Sequence, residues 1–180
     1  MRILMITCSL KSDSRSFLLT QAAARILRDR NVEVDFRDLR EIELPFCDAG
    51  ECYSHPNTVE MAGAIRNASA VILGVPIYNY DVNAAAKNLI ELTGRAWNEK
   101  TVGFVCAAGG QGSYMSVMGL ANSLMLDFRC LINPRFVYAT GDDFQDDQIT
   151  SPKIKERLEE LCTSTVRLAG VLETDSSPKR

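Results

Sequence analysis

Three short runs of apolar and β-branched residues constrain the fold of this chain more than any other feature. They span residues 2–8, 70–75 and 101–107, and each is apolar at nearly every position. A strand with this pattern is buried on both faces, as in a parallel sheet that is covered by helices. A polar loop and then a helix-like segment follow each run. The sequence therefore predicts an α/β fold with a parallel, doubly wound sheet.

The remaining segments continue this alternation of strands and helices. Apolar and acidic residues alternate over 32–36, which predicts an edge strand, and a last strand is predicted at 135–138. The long connection 37–57 contains two prolines and is predicted to be a loop. Gly94 is a candidate C-cap at the end of the third helix. Apolar residues at helical spacing predict helices at 16–29, 58–67, 82–93, 113–128 and 152–170.

Composition and charge restrict the class of protein. No repeat or linker divides the 180 residues, so we predict one domain over 1–172 and a polar, disordered tail over 173–180. A net charge of -3 argues against a nucleic-acid binder. No apolar run approaches the roughly 20 residues that cross a bilayer, and no signal-peptide cleavage site follows the first strand. We therefore predict a cytoplasmic protein that binds neither nucleic acid nor a membrane and keeps its six cysteines reduced.

Ligands of open α/β sheets bind beyond the carboxyl ends of the strands, so the loops after the three apolar runs are the candidate site. The first loop, residues 9–16, carries four serines together with Lys11 and Arg15, just before a helix. Hydroxyls, cations and a helix N-terminus suit a terminal monophosphate. GxGxxG and GxxxxGK[ST] motifs are missing from this loop, which disfavours a dinucleotide or a triphosphate there. The alternative is an ordinary helix N-cap with solvated neighbours.

The second and third loops have a different character. The second, residues 75–81, places Pro76, Tyr78, Asn79 and Tyr80 directly after a strand, where they form either one wall for a flat aromatic ligand or a simple turn. The third has glycine at three of the four positions 109–112. Glycines allow close approach of the backbone to a ligand and positive φ angles. The alternative for this loop is a plain flexible turn.

Several other residues are candidates for a functional site. Cys47 and Cys52 are either a redox pair or two loop thiols, and with one histidine nearby, His55, they fall short of a structural zinc set. We therefore predict no metal site and place His55 at the surface, with a lid or a substrate contact as the alternative. Cys8 and Cys106 lie in apolar strands and are predicted to be core residues. Asp142, Asp143, Asp146 and Asp147 are predicted to form a solvated loop.

The segment 114–128 is apolar on nearly all sides, with Gly119 and Ala121 permitting close approach. A helix that lacks a polar face is buried, and outside the sheet the surface available to bury it is another subunit. We therefore predict a homodimer or a homotetramer.

With these three loops in view, the chain resembles the NADPH-dependent FMN reductase family of flavodoxin-like proteins from Met1 to about Thr140. The first loop matches the family's serine-rich pattern, with Lys11 at a position where the family usually has arginine. The second matches as Pro-Ile-Tyr-Asn, followed by Ala-Ala-Lys-Asn in the next helix. The third matches as Ala-Gly-Gly. Three motifs in the correct order after the correct strands are harder to obtain by chance than any one of them.

The resemblance implies a five-stranded flavodoxin-like sheet of order 2-1-3-4-5 and an FMN-binding oxidoreductase. Its cofactors are FMN and NADPH or NADH, and its acceptor is a small molecule such as free flavin, a quinone, an azo compound or a metal ion. The flavin carries out the hydride chemistry, so no catalytic side chain is expected. Alternatives are a flavodoxin-type electron carrier and a non-catalytic flavin-binding protein. The implied phosphate ligands are Ser9, Lys11, Ser14, Arg15 and Ser16; the implied ring and ribityl neighbours are Pro76, Ile77, Tyr78 and Asn79; and the residues implied at the pyrimidine edge are Gly109, Gly110 and Gln111.

Overall fold

The computed structural model describes residues 1–175, and within them a seven-stranded sheet forms the middle of the molecule. Its strands pair in the order β2-β1-β3-β5, and β6 and β7 both pair with β5 in parallel. Because β6 and β7 lie along successive stretches of β5, they take the place of one fifth strand, and the main strands follow the predicted order. The strand count differs from the predicted five, because the fifth strand is interrupted and the antiparallel β4 is added beside β3. The strands are β1 Arg2–Thr7, β2 Glu33–Asp38, β3 Ala70–Tyr78, β4 Asp81–Val82, β5 Thr101–Ala107, β6 Leu131–Ile132 and β7 Val137–Ala139.

Helices cover both faces of this sheet because alternate side chains of a strand point to opposite faces. From β1, Ile3 and Met5 pack with α1 and α5, whereas Leu4 and Ile6 pack with α2, α3 and α4. Within residues 1–175, none of the helices has both the length and the apolar character needed to cross a bilayer. The helices are α1 Arg15–Asp29, α2 Pro56–Asn67, α3 Ala84–Thr93, α4 Met118–Phe128 and α5 Pro152–Asp175.

Some predicted boundaries are wrong. The helix predicted at 113–128 begins only at Met118, because tight i→i+3 turns occupy the preceding residues, with Ser116 N bonded to Ser113 O and Met118 N to Met115 O. Val82 pairs with β3 as part of β4 instead of starting a helix. The last helix runs past residue 170 to Asp175, which contradicts the start of the predicted tail, and residues 176–180 lie outside the described part. Gly94 is confirmed as a C-cap, with a φ angle of 42°.

The acidic stretch after β7 is more ordered than the predicted solvated loop. A 3-10 turn at Gly141–Asp143 is capped by Thr140, whose backbone N–H donates to Asp143 Oδ2 at 2.8 Å. An antiparallel hairpin of β8 Phe144–Gln145 and β9 Gln148–Ile149 follows. Its two turn residues, Asp146 and Asp147, have φ angles of 46° and 61°, as a two-residue type I′ hairpin turn requires. Asp142, Asp146 and Asp147 are solvent-exposed as predicted, whereas Asp143 is half-buried.

Candidate functional site

The three loops singled out in the sequence meet at one cleft of about 510 Å³. They meet because β1, β3 and β5 are adjacent in the sheet and run in the same direction. All predicted site residues of the first two loops and Gly109 of the third contribute to the lining, whereas Gly110 and Gln111 stand outside it. The lining consists of Ser9, Lys11, Asp13, Ser14, Arg15, Ser16, Pro76, Ile77, Tyr78, Asn79, Ala107, Ala108, Gly109 and Asp147.

Buried serine hydroxyls surround the start of α1. Ser14 is the N-cap, and its Oγ accepts from the N–H of Phe17 at 3.3 Å. The same oxygen lies 2.9 Å from Ser16 Oγ, and Ser9 Oγ accepts from Lys11 N at 3.3 Å. The first turn of a helix also presents N–H groups and the positive end of the helix dipole. Ser14 thus acts as the N-cap that was the alternative for this loop, and it also lines the wall of the cleft.

Both cations of the first loop are exposed, and each has a neighbour that limits its movement. Lys11 Nζ lies 3.0 Å from Asp13 Oδ2, and this contact lowers the pKa of the Asp13 carboxyl. The Arg15 guanidinium lies 5.7 Å from the ring centroid of Phe144, at the start of the acidic hairpin. A Cβ atom added to Gly141 would lie 3.1 Å from Arg15 Nη1, so the absence of a side chain there leaves room for the guanidinium. Both positive charges therefore stand beside the buried serines.

The second loop is a tight hairpin turn between β3 and β4. Asn79 and Tyr80 have φ angles of 51° and 63°, the left-handed pair that a type I′ turn needs. Tyr78 is half-exposed and Tyr80 is 74% exposed. Behind the turn, Asn83 donates from Nδ2 to Cys8 O at 2.7 Å and from its backbone N–H to Pro76 O at 3.2 Å. These two bonds connect the bases of the first and second loops.

The third loop is held in place by the end of β7. Tyr138, a buried residue, donates its hydroxyl to Gly110 O at 2.5 Å and also lies 2.7 Å from Ser113 Oγ. Gln111 Nε2 lies 3.5 Å from Thr140 Oγ1. The positive φ angles that glycine allows do not occur in this loop, because Gly94 is the one glycine with a positive φ among residues 1–175. A Cβ atom at Gly109 would meet nothing within 4 Å, so open space adjoins this backbone.

Sequence reasoning missed Asp147 as a lining residue. It stands on the β8–β9 turn, which folds back to the cleft after the last strand of the sheet. The available signal was the pair of adjacent acidic residues, which is compatible with a two-residue turn. The strands on either side have two residues each, which is too short to give a recognisable strand pattern. Asp13 and Ala108 also line the cleft and belong to loops that the sequence had identified, and Ala107 lines it from the last position of β5.

The remaining candidates lie apart from the cleft lining. Cys8 and Cys106 are fully buried, as predicted, and burial raises the pKa of both thiols. His55 is half-buried and caps α2, with Nδ1 accepting from Asn57 N. Cys52 is buried, and burial together with Asp48 raises the pKa of its thiol. No cluster of three or more metal-ligating side chains occurs in the described residues.

Comparison with known proteins identifies the family. The model of the family described as NADPH-dependent FMN reductase matches residues 1–145. This chain belongs to that family. It is 26% identical to an NAD(P)H-dependent FAD/FMN reductase of Geobacillus thermodenitrificans, covering 97% of this chain and 96% of the relative. It is 24% identical to an NADPH:quinone oxidoreductase of Arabidopsis thaliana, covering 94% of each.

A solved structure supports the fold assignment. The flavoenzyme NAD(P)H:(acceptor) oxidoreductase FerB of Paracoccus denitrificans superimposes with a TM-score of 0.78 at 19% identity, over 94% of this chain and 97% of FerB. The sheet order is that of flavodoxin-like proteins. The predicted fold and family are therefore confirmed, and membership in the FMN reductase family makes this chain an oxidoreductase that uses FMN and NAD(P)H.

Proposed function

We propose that this FMN reductase holds FMN in the cleft beyond β1, β3 and β5, takes hydride from NAD(P)H and reduces a small-molecule acceptor. The acceptor class is free flavin, a quinone, an azo compound or a metal ion. One observation carries the proposal: the three loops converge on a single cleft with hydroxyls and cations on one side and an open backbone wall on the other. A cleft of about 510 Å³ is in the range of cofactor sites.

The first loop suits the phosphate of FMN. Ser9, Ser14 and Ser16 present hydroxyls, and the start of α1 presents backbone N–H groups, which together form a donor set for a monophosphate. Lys11 and Arg15 place positive charge at the rim of the same pocket. In this assignment they neutralise the phosphate dianion, which strengthens each hydrogen bond to it.

The second and third loops suit the flat part of the cofactor. In this assignment, Pro76, Ile77, Tyr78 and Asn79 border the ring and the ribityl chain, with Tyr78 as an exposed aromatic wall. The backbone of Gly109 borders the pyrimidine edge, and Gly110 and Gln111 follow it outside the lining, where they bond to Tyr138 and Thr140. When bound, FMN supplies the hydride chemistry. The chain's own task is to bind and orient it and to direct backbone N–H groups towards the edge where negative charge develops.

An activity assay separates the proposed function from its alternatives. Oxidation of NADPH and NADH is followed by absorbance with FMN, a quinone or ferricyanide as acceptor, beside a spectrum of the purified protein. Rapid oxidation supports the reductase. Retained flavin without NAD(P)H oxidation indicates a flavodoxin-type carrier, and neither retained flavin nor oxidation indicates a non-catalytic protein.

A matched pair of variants tests the phosphate site. Arg15 and Arg25 are both exposed arginines on α1, but Arg15 alone of these two lines the cleft. Loss of a charged hydrogen bond costs about 1.5–3 kcal/mol, so we expect Arg15→Ala to weaken FMN binding about tenfold or more. Arg25→Ala should leave the affinity unchanged. Equal effects of the two substitutions would refute the assignment of Arg15.

We also propose that the protein is a homodimer or homotetramer. On α4, Leu126 is 80% exposed, and Met115 in the preceding turn is 60% exposed. We assign these exposed apolar side chains to a subunit interface, since a large exposed apolar surface is typical of an interaction site. Light scattering at micromolar concentration should give a multiple of the chain mass, and Leu126→Glu should reduce it to the mass of one chain. Val59→Glu, at an exposed apolar residue on α2, serves as the control. A monomeric wild-type mass would contradict the proposal.

Two further assignments belong to this proposal. We assign residues 1–172 as a single FMN-binding domain, since the core clusters on both faces of the sheet draw on elements from β1 to α5. We assign the cytoplasm as its compartment. The six free cysteines support this location, because thiols persist in reducing compartments.

A further inference from the structure

Arg40 lies outside the cleft lining and is anchored behind the first loop. It follows β2 and pairs with Asp38, a carboxylate that is 6% exposed. Arg40 Nε lies 3.1 Å and 2.9 Å from the two carboxylate oxygens, and Asp38 Oδ1 also accepts from the backbone N–H of Arg40. The Arg40 side chain is 24% exposed. A partly buried, multiply bonded ion pair of this kind fixes the orientation of the guanidinium.

From this anchor, Arg40 contacts the first loop on both sides of the N-cap residue Ser14. Its Nη1 donates to Ser12 O at 2.8 Å. Its guanidinium carbon lies 4.2 Å from the ring centroid of Phe17, a cation–π distance. Phe17 is also the residue whose N–H donates to Ser14 Oγ. Arg40 therefore bridges the loop and the first turn of α1, while Asp38 ties both to the end of β2.

We propose that Arg40 is a positioning residue that holds the first loop in the conformation that accepts the FMN phosphate. This inference rests on the proposed function. Ordering a backbone residue costs conformational entropy, and a loop that is already ordered does not incur that cost again when the ligand binds. Only a planar fork pairs with a carboxylate through Nε while donating from Nη1 to a carbonyl. Lysine in this place would keep the charge but not this geometry.

Three variants of the full-length protein test the inference. Arg40→Ala removes the bridge and Arg40→Lys removes the fork but keeps the charge. Arg37→Ala is the matched control, because Arg37 makes a similar ion pair with Asp35 and a second one with Glu60 on α2. Titration calorimetry gives the dissociation constants for FMN and for riboflavin, which lacks the phosphate. The thermal midpoint is measured beside them.

The phosphate-specific part of the affinity is the decisive readout. A first loop that is no longer held in place should lose a hydrogen bond to the phosphate, and loss of a hydrogen bond to a charged group corresponds to about tenfold in affinity. We therefore expect both Arg40 variants to weaken FMN binding about tenfold. Riboflavin binding should change by less than about twofold, because riboflavin makes no use of the first loop. Arg37→Ala should leave the ratio of the two affinities unchanged. Hydrogen exchange at residues 11–14 without ligand should be faster in Arg40→Lys than in the wild type and unchanged in Arg37→Ala.

Failure of the inference differs from failure of the proposed function. A wild-type protein that binds FMN no more tightly than riboflavin contradicts the phosphate assignment itself. A wild type that discriminates, together with Arg40 variants that keep its ratio, overturns only the role of Arg40. Equal losses for both ligands would show a merely structural role and overturn the inference. Wild-type behaviour of Arg40→Lys would overturn the role given to the guanidinium fork. If Arg40→Ala does not fold, the lysine variant and the exchange measurement still decide the question.

Discussion

Replacement of Gly74 by alanine is the most quantitative test of how α1 is seated on the sheet. Gly74 lies in β3, and a Cβ atom there would stand 1.9 Å from Thr20 Oγ1, where ordinary contact begins at about 3.4 Å. The overlap is therefore about 1.5 Å. Thr20 Oγ1 donates to Ser16 O at 2.7 Å, at the start of α1. Either Thr20 rotates and gives up this bond, or the helix moves away from the sheet.

The magnitude follows from three opposing effects. Overpacking a buried site costs about 1–3 kcal/mol, and loss of a hydrogen bond costs about 1 kcal/mol. Against these, replacing glycine restricts the unfolded chain and returns about 0.4–1 kcal/mol. The steric effect prevails, and we expect Gly74→Ala to lower the free energy of unfolding by about 2 kcal/mol. For a chain of this size that corresponds to a thermal midpoint lower by roughly 4–8 °C.

Thermal and urea unfolding of four proteins provides the assay: wild type, Gly74→Ala, Thr20→Ala and the double variant. Thr20→Ala removes the colliding oxygen, so the two substitutions should show a favourable coupling of about 1–2 kcal/mol. Gly63→Ala on α2 is the control, because a Cβ there meets nothing within 4 Å. FMN affinity should fall in Gly74→Ala, since movement of the helix would shift Ser16 and rotation of Thr20 would remove its bond to Ser16 O. An unchanged midpoint for Gly74→Ala, or the absence of coupling to Thr20, would refute this reasoning.

Three further predictions concern the site and its surroundings. Ser14→Asp keeps an N-cap but places a negative charge in the phosphate pocket. Calorimetry should therefore show lost FMN binding at an unchanged unfolding midpoint, and the uncharged cap in Ser14→Asn should bind FMN at least as well as Ser14→Asp. Tyr138→Phe removes the donor to Gly110 O and should raise the KM for NAD(P)H or the FMN dissociation constant severalfold, about the effect of one neutral hydrogen bond. Burial raises the pKa of the Cys130 thiol from 9.0 to about 11. The unfolded state therefore loses that proton first, and the free energy of unfolding falls as pH rises from about 9 to 11. The difference between the urea midpoints at pH 8 and pH 10 should be smaller in Cys130→Ala than in the wild type.

The sequence predicted the sheet and the three loops because both depend on short-range patterns. Apolar runs identified the strands, and their order along the chain placed the loops at one edge of the sheet. The predicted start of α4 was wrong because turns with i→i+3 bonds and an α-helix show similar apolar spacing, so the sequence did not separate the turns before Met118 from the helix. Arg40 and Asp147 could not be found this way. The contact of Arg40 with the first loop depends on the direction of its side chain. The position of Asp147 at the cleft depends on a hairpin whose strands have only two residues each.

The pairing register explains why the cleft has two unlike sides. β1 ends at Thr7, opposite Gly74, so β3 projects four residues beyond it to Tyr78. β5 ends at Ala107, opposite Pro76, so β3 projects only two residues beyond that neighbour. The space left beyond the end of β1 is therefore deeper than the space beyond β5. The serines and the start of α1 lie on the β1 side. Because register and not side-chain length sets these depths, substitutions in the lining should change the affinity for FMN without removing the cleft.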